Sequence, residues 1–141
     1  MNKYVFDTNV IVAAMRSPTG ASAALLKKAF NKELIMLASV PLFVEYDAKC
    51  TDSEHRSAAG LSLPEADIFV DALAALVQKV FIHYLWRPML KDPKDEMVLE
   101  AAVNGGAKSI VTFNIRDFGV APHMFNIDIV TPGYCLKEFE K

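Results

Sequence analysis

Five short runs along the chain are rich in β-branched and aromatic residues, and stretches of helical period separate them. Lys3 to Asp7 (KYVFD), Leu34 to Ala38 (LIMLA), Val80 to His83 (VFIH), Ser109 to Phe113 (SIVTF) and Ile127 to Val130 (IDIV) are the predicted strands. Between them, Ala21 to Asn31 sorts Ala24, Leu25 and Phe30 from Lys27 and Lys28, the two-faced pattern of a surface helix. Leu25, Phe30, Phe69, Leu73, Leu76 and Val77 are assigned chiefly to the core, and Lys27, Lys28 and Lys32 to a solvated face. Strands alternating with helices imply a parallel sheet covered by helices, and so an α/β fold.

The helix starts carry their own chemistry. Ser39 is placed to cap a helix through Pro41, Phe43, Val44 and Tyr46, and Ser62-Leu63-Pro64-Glu65 is a capping box opening the longest helix, to about Lys79. At Asp92-Pro93-Lys94-Asp95, Asp92 is the N-cap and Pro93 takes the first helical position, where its missing N–H costs nothing. That helix stops at Asn104-Gly105-Gly106, and Thr131-Pro132 opens a short final one. The polar stretch from Cys50 to Gly60 is expected to be a surface loop or frayed helix.

Composition narrows the class. With 141 residues, 52% hydrophobic and 23% charged, the chain can repay its ordering entropy by burying apolar surface, which excludes disorder and favours one domain over residues 1–141. Two distant cysteines, Cys50 and Cys135, form no metal or redox motif and suit a reduced compartment. Asp7 interrupts the first apolar run before it could serve as a signal peptide, and no run approaches the ~20 residues of a membrane span. A cytoplasmic protein without membrane association is expected. The formal charge of -2 argues mildly against a nucleic-acid partner.

The acids shift that balance. In open parallel sheets, ligands bind beyond the carboxyl ends of strands, where Asp7, in the run Asp7-Thr8-Asn9, and Asp117 follow predicted strands. Glu45 and Asp95 belong to helices that follow or lead to strands. Each has a plain alternative: Asp7 as a helix cap, Glu45 on a solvated face, Asp95 as the third-position acid at a helix N-terminus, Asp117 at the start of a helical turn. Together at one sheet edge they would repel one another, and an all-oxygen cluster of that kind suits a hard cation.

The blocks VFDTNV, VEY, KDPKDEMVLEAAVNGGA, IVTFNIRDF and IVTP, in this order from about Lys3 to Phe139, resemble the PIN domain family. The likeness is strongest to bacterial PIN proteins classed as toxin components of toxin–antitoxin systems. It implies a three-layer α/β/α sandwich on a parallel sheet of four to five strands, and an endoribonuclease dependent on Mg2+ or Mn2+. It further implies an RNA substrate, a cognate antitoxin and a homodimer. Carried over by position, Asp7, Glu45 and Asp95 match the family's first three acids. Many relatives place the fourth acid where this chain has Asn114; others have asparagine there and an acid three residues later, as at Asp117. Thr8, Asn9, Thr112 and Asn114 would be polar neighbours orienting the carboxylates.

RNA contacts fall to basic side chains in nearby loops, with Arg16 and Arg116 the candidates. Arg87 is also in such a loop, but packing beside Trp86 and Pro88 explains it better. His55, His83 and His123 are scattered and read as surface or strand residues, while Ser39, Ser57 and Ser109 lack a nucleophile-elbow pattern. Two other readings compete: a PIN-like module that binds RNA or protein without catalysis, and a haloacid-dehalogenase-like phosphatase, which would normally carry a second Asp where Asn9 stands. If the four acids share a metal, the rest of the chain carries +2, so whole-chain charge is the wrong scale for judging RNA affinity.

Overall fold

The computed structural model describes residues 1–83 and 88–140. Its centre is a five-stranded, all-parallel sheet in the order β3-β2-β1-β4-β5. The strands are β1 (Lys3–Phe6), β2 (Ile35–Ala38), β3 (Val77–Lys79), β4 (Ser109–Val111) and β5 (Asp128–Val130). β1 is central, with Tyr4 opposite Met36 of β2 and Ser109 of β4. Tyr4, Val5, Phe6, Met36, Leu37, Ile110 and Val111 are all 1% exposed or less. Burial on both faces of a parallel sheet explains why these strands read as continuous apolar runs rather than alternating ones.

Among the described residues seven α-helices cover the sheet: α1 (Thr8–Arg16), α2 (Ala21–Phe30), α3 (Val40–Thr51), α4 (Ser53–Ala58), α5 (Leu63–Leu76), α6 (Pro93–Gly105) and α7 (Pro132–Glu138). The predicted caps form. Ser39 Oγ accepts from Leu42 N, Ser62 and Glu65 close a capping box, Asp92 accepts from Lys94 N, and Thr131 accepts from Tyr134 N. α6 ends on Gly106 at φ 65, which only glycine adopts cheaply. A Cβ on the adjacent Gly105 would lie 2.7 Å from Leu37 Cδ1 and 2.9 Å from Val80 Cγ2, so this glycine sets how closely α6 approaches the sheet.

Three expectations are corrected. The third strand is Val77–Lys79 rather than Val80 to His83, and the long helix ends at Leu76 rather than near Lys79. Pairing with β2, extended by the bond from Val80 N to the Ala38 carbonyl, wins these residues from the helix. Of the two readings of the Cys50 to Gly60 stretch, the helical one holds, since Asp52 caps the short, largely exposed α4 and Cys50 is buried at the end of α3. Phe30 is 73% exposed: the core-facing stripe of α2 runs through Ser22, Ala23, Leu25, Leu26 and Ala29, leaving Phe30 beside it. Both cysteines are free and buried, and burial is the main cause pushing each thiol up to about 12. No helix among the described residues is long and apolar enough to cross a membrane.

Candidate active site

The carboxyl ends of β1 and β4 open into a cleft of about 600 Å3. Asp7, Glu45, Asp95 and Asp117 all line it, together with Thr8, Asn9, Asn114 and Arg16. Asp7 arrives there because its N–H continues the ladder to the Val111 carbonyl while its side chain caps α1. Glu45 comes from α3, Asp95 from the first turn of α6, and Asp117 from the 3-10 turn Ile115–Phe118 that follows β4.

Asp7 is 8% exposed and tightly held. Its Oδ1 accepts from Thr8 N at 2.7 Å and its Oδ2 from the Thr112 hydroxyl at 2.7 Å. Thr112 is itself fully buried behind the cleft, and its Oγ1 accepts from Asn114 N at 3.0 Å, so one hydroxyl orients both the carboxylate and the loop beyond β4. Burial raises the Asp7 pKa and outweighs these two hydrogen bonds, which act in the other direction. Asp95 is raised from the usual 3.8 to about 6, first by burial and then by the charges of Asp7, Asp92 and Asp117. Like charges gathered without a counterion produce this pattern.

Beneath the cleft, the fully buried Tyr46 hydroxyl donates to the Phe6 carbonyl. Phe6 precedes Asp7 and Tyr46 follows Glu45, so this bond ties the strand bearing one acid to the helix bearing another. Tyr46→Phe would leave a buried carbonyl without its donor, and an unmet buried acceptor costs about 1–3 kcal/mol. Urea unfolding should show a loss of that size; an unchanged midpoint would mean the bond contributes nothing.

Several lining residues were invisible in the sequence. Lys49, His55, Asp92, Lys94 and Phe113 also face the cleft. His55, read as a surface or strand residue, is carried there by α4, and its buried Nδ1 has no hydrogen-bond partner. Asp92 is the expected N-cap and a cleft acid as well. Lys94 Nζ lies 3.5 Å from Glu45 Oε1, and Glu45 is the chief cause of that lysine's raised pKa. Arg116 falls outside this cleft, in a neighbouring one of about 570 Å3 that shares Asp92, Asp95 and Asp117 with it. Arg87 lies outside the described residues. Among those described, no three acidic, cysteine or histidine side chains stand close enough to hold an ion as they are placed. The four acids share a cleft without converging on a point.

Carboxylates collected at the carboxyl edge of a central parallel strand, with helices on both faces of the sheet, define an α/β domain with an acidic cleft at the edge where ligands of open parallel sheets bind. The sequence profile of the PIN domain matches residues 3–116, and the chain belongs to the PIN domain family. Members of this family are generally nucleases and typically use divalent metals. The fold is similar to a chain in the crystal structure of VapBC2 from Rickettsia felis bound to a DNA fragment from their promoter. The TM-score is 0.64 at 16% identity, covering 92% of this chain and 98% of that one. No curated protein matches the chain.

Proposed function

We propose that this single PIN domain, spanning residues 1–141, is a metal-dependent endoribonuclease and the toxin component of a cytoplasmic toxin–antitoxin pair. Its partners would be a cognate antitoxin and a second copy of itself. The observation that carries the reading is the meeting of Asp7, Glu45, Asp95 and Asp117 in one cleft from four separate elements. The similarity to the VapBC2 chain supports the toxin assignment.

The donor set fits a hard divalent cation. Every acid offers carboxylate oxygen, the ligand Mg2+ and Mn2+ prefer. Asn9 Oδ1, on a residue lining the cleft, is buried without a hydrogen-bond donor. The exposed Lys94 ammonium already stands 3.5 Å from Glu45 as a counterion. Asp7, Glu45 and Asp95 would hold the ion with Asp117 as the fourth acid, and gathering them requires side-chain rotation. Bound there, the ion supplies a water of lowered pKa and positive charge for a developing phosphoryl oxyanion. The chain's own groups do the rest. Thr112 and Thr8 N fix the Asp7 carboxylate, Asn9 and Asn114 present polar edges, and Arg16 and Lys49 draw phosphates into the cleft. No side-chain nucleophile is needed.

The direct test is cleavage of a broad RNA set by the full chain with Mg2+ or Mn2+, with and without chelator. Chelator-sensitive cleavage is expected, and an inert wild type would overturn the nuclease reading. Lys94 gives a second handle. Removing its charge in Lys94→Met frees Glu45 and should tighten Mn2+ binding by roughly threefold, the scale of an exposed ion pair, in a titration followed by electron paramagnetic resonance. An unchanged affinity would take Glu45 out of the ligand set.

A further inference from the structure

The acid cleft and its neighbour are not two separate features, because Asp92, Asp95 and Asp117 form a wall common to both. Their volumes, about 600 and 570 Å3, each fall in the roughly 300–1,000 Å3 range of ligand sites. Cations stand on both sides of that wall, Arg16 in the first cleft and Arg116 in the second. Large apolar side chains are exposed on both sides too. Phe113 is 52% exposed in the first cleft, and Val120 and Met124 are 74% and 67% exposed in the second. Gly119, at φ 52, makes the turn between the fully buried Phe118 and the exposed Val120. The apolar surface of Phe113, Val120 and Met124 adds nothing to the core.

We propose that the two clefts form one groove for an unpaired RNA strand, with one nucleobase stacked on Phe113 and its neighbour across the acid wall seated against Val120 and Met124. The inference rests on the nuclease reading and adds to it the subsites flanking the reacting phosphate. Aromatic faces accept any base by stacking, while guanidinium groups take the phosphates between. Bases within a duplex are stacked on one another and cannot present a face to Phe113, so the groove selects unpaired RNA. The mixture of cations, exposed apolar surface and acids across the two clefts suits a strand of phosphates and bases better than the continuous apolar stripe of a protein helix.

The test uses the full chain carrying Asp7→Asn, in chelator, with unpaired oligoribonucleotides bearing 2-aminopurine at successive positions. Stacking should quench one position; Phe113→Ala should relieve that quenching and Phe113→Trp should keep it. Val120→Ala with Met124→Ala should change the signal of the neighbouring base instead. In the otherwise wild-type chain with Mg2+, the same paired substitution should raise KM roughly tenfold with a smaller change in kcat, and relax the preference for that nucleotide. Circular dichroism checks that each variant is folded. Quenching that is absent or indifferent to Phe113 overturns the proposal, as does equal competition by a duplex. So does a Met124→Asp variant that changes only self-association, which would make this surface a protein contact. A wild type that cleaves no RNA defeats the nuclease reading, and the fluorescence arm still decides the groove.

Discussion

Asp7→Asn is expected to abolish RNA cleavage while leaving the fold intact. Loss of a residue that merely orients a metal ligand typically costs 10–100-fold in affinity or activity, and Thr112→Val should fall in that range because it removes the hydroxyl that donates to Asp7 Oδ2. Losing the carboxylate itself must cost more than about a hundredfold. Asparagine keeps an oxygen that can accept from Thr8 N, so the α1 cap survives. The carboxylate's burial, which raises its pKa, makes the neutral amide the easier group to bury. Thermal unfolding should therefore place this variant at or above the wild type in chelator, alongside a cleavage assay. Equal cleavage by Asp7→Asn and wild type would remove Asp7 from the chemistry, and a smaller loss than for Thr112→Val would reverse the assigned order of importance.

Asp95→Asn should likewise end cleavage, and it should also stabilise the metal-free protein in a pH-dependent way. The folded state raises the Asp95 pKa from 3.8 to about 6, so folding favours the protonated form. Its contribution to stability is complete below pH ~4, is lost as pH rises towards 6, and becomes a standing penalty above it. The full linkage value for such a shift would approach ~3 kcal/mol; Asp95 is only half-buried, and solvent screening brings the expected penalty down to ~1 kcal/mol. For a chain of this size that is roughly 2–4 °C. In chelator at pH 7.5 the asparagine variant should melt higher by that amount, and the advantage should vanish at pH 4. Adding Mg2+ at pH 7.5 should narrow the gap by stabilising only the wild type. A variant no more stable than wild type at pH 7.5 would mean that the helix N-terminus compensates the Asp95 charge.

Much of the scaffold was legible because local rules and tertiary packing agree. The caps at Ser39, Ser62, Asp92 and Thr131 form as read, and the buried central strands β1 and β4 follow their apolar runs. Legibility failed where a distant partner decides. Val77 to Lys79 continue a helical pattern and become strand only because β2 offers an open edge. The same holds in the cleft. Asp7, Glu45, Asp95 and Asp117 were found from their positions after strands and in family blocks. Lys49 and His55 reach the cleft through the packing of α3 and α4 against α1, a relation between residues some forty positions apart that no local pattern records. Phe113 was read as the end of the fourth strand; the ladder beyond Val111 continues only through Thr112 N, and Phe113 turns outward.

The strand order also constrains when the cleft exists. β1 is made first yet lies in the middle, and its second neighbour, β4, is not synthesised until residues 109–111. Asp7 gains its Thr112 hydrogen bond, and Asp117 joins the cleft, only after that. On the ribosome, the growing chain can pair β1 with β2 early, but the site stays incomplete until Asp117 has been made. Under the ribonuclease function proposed above, the strand order of the sheet delays assembly of the acid cleft until β4 and the turn after it exist.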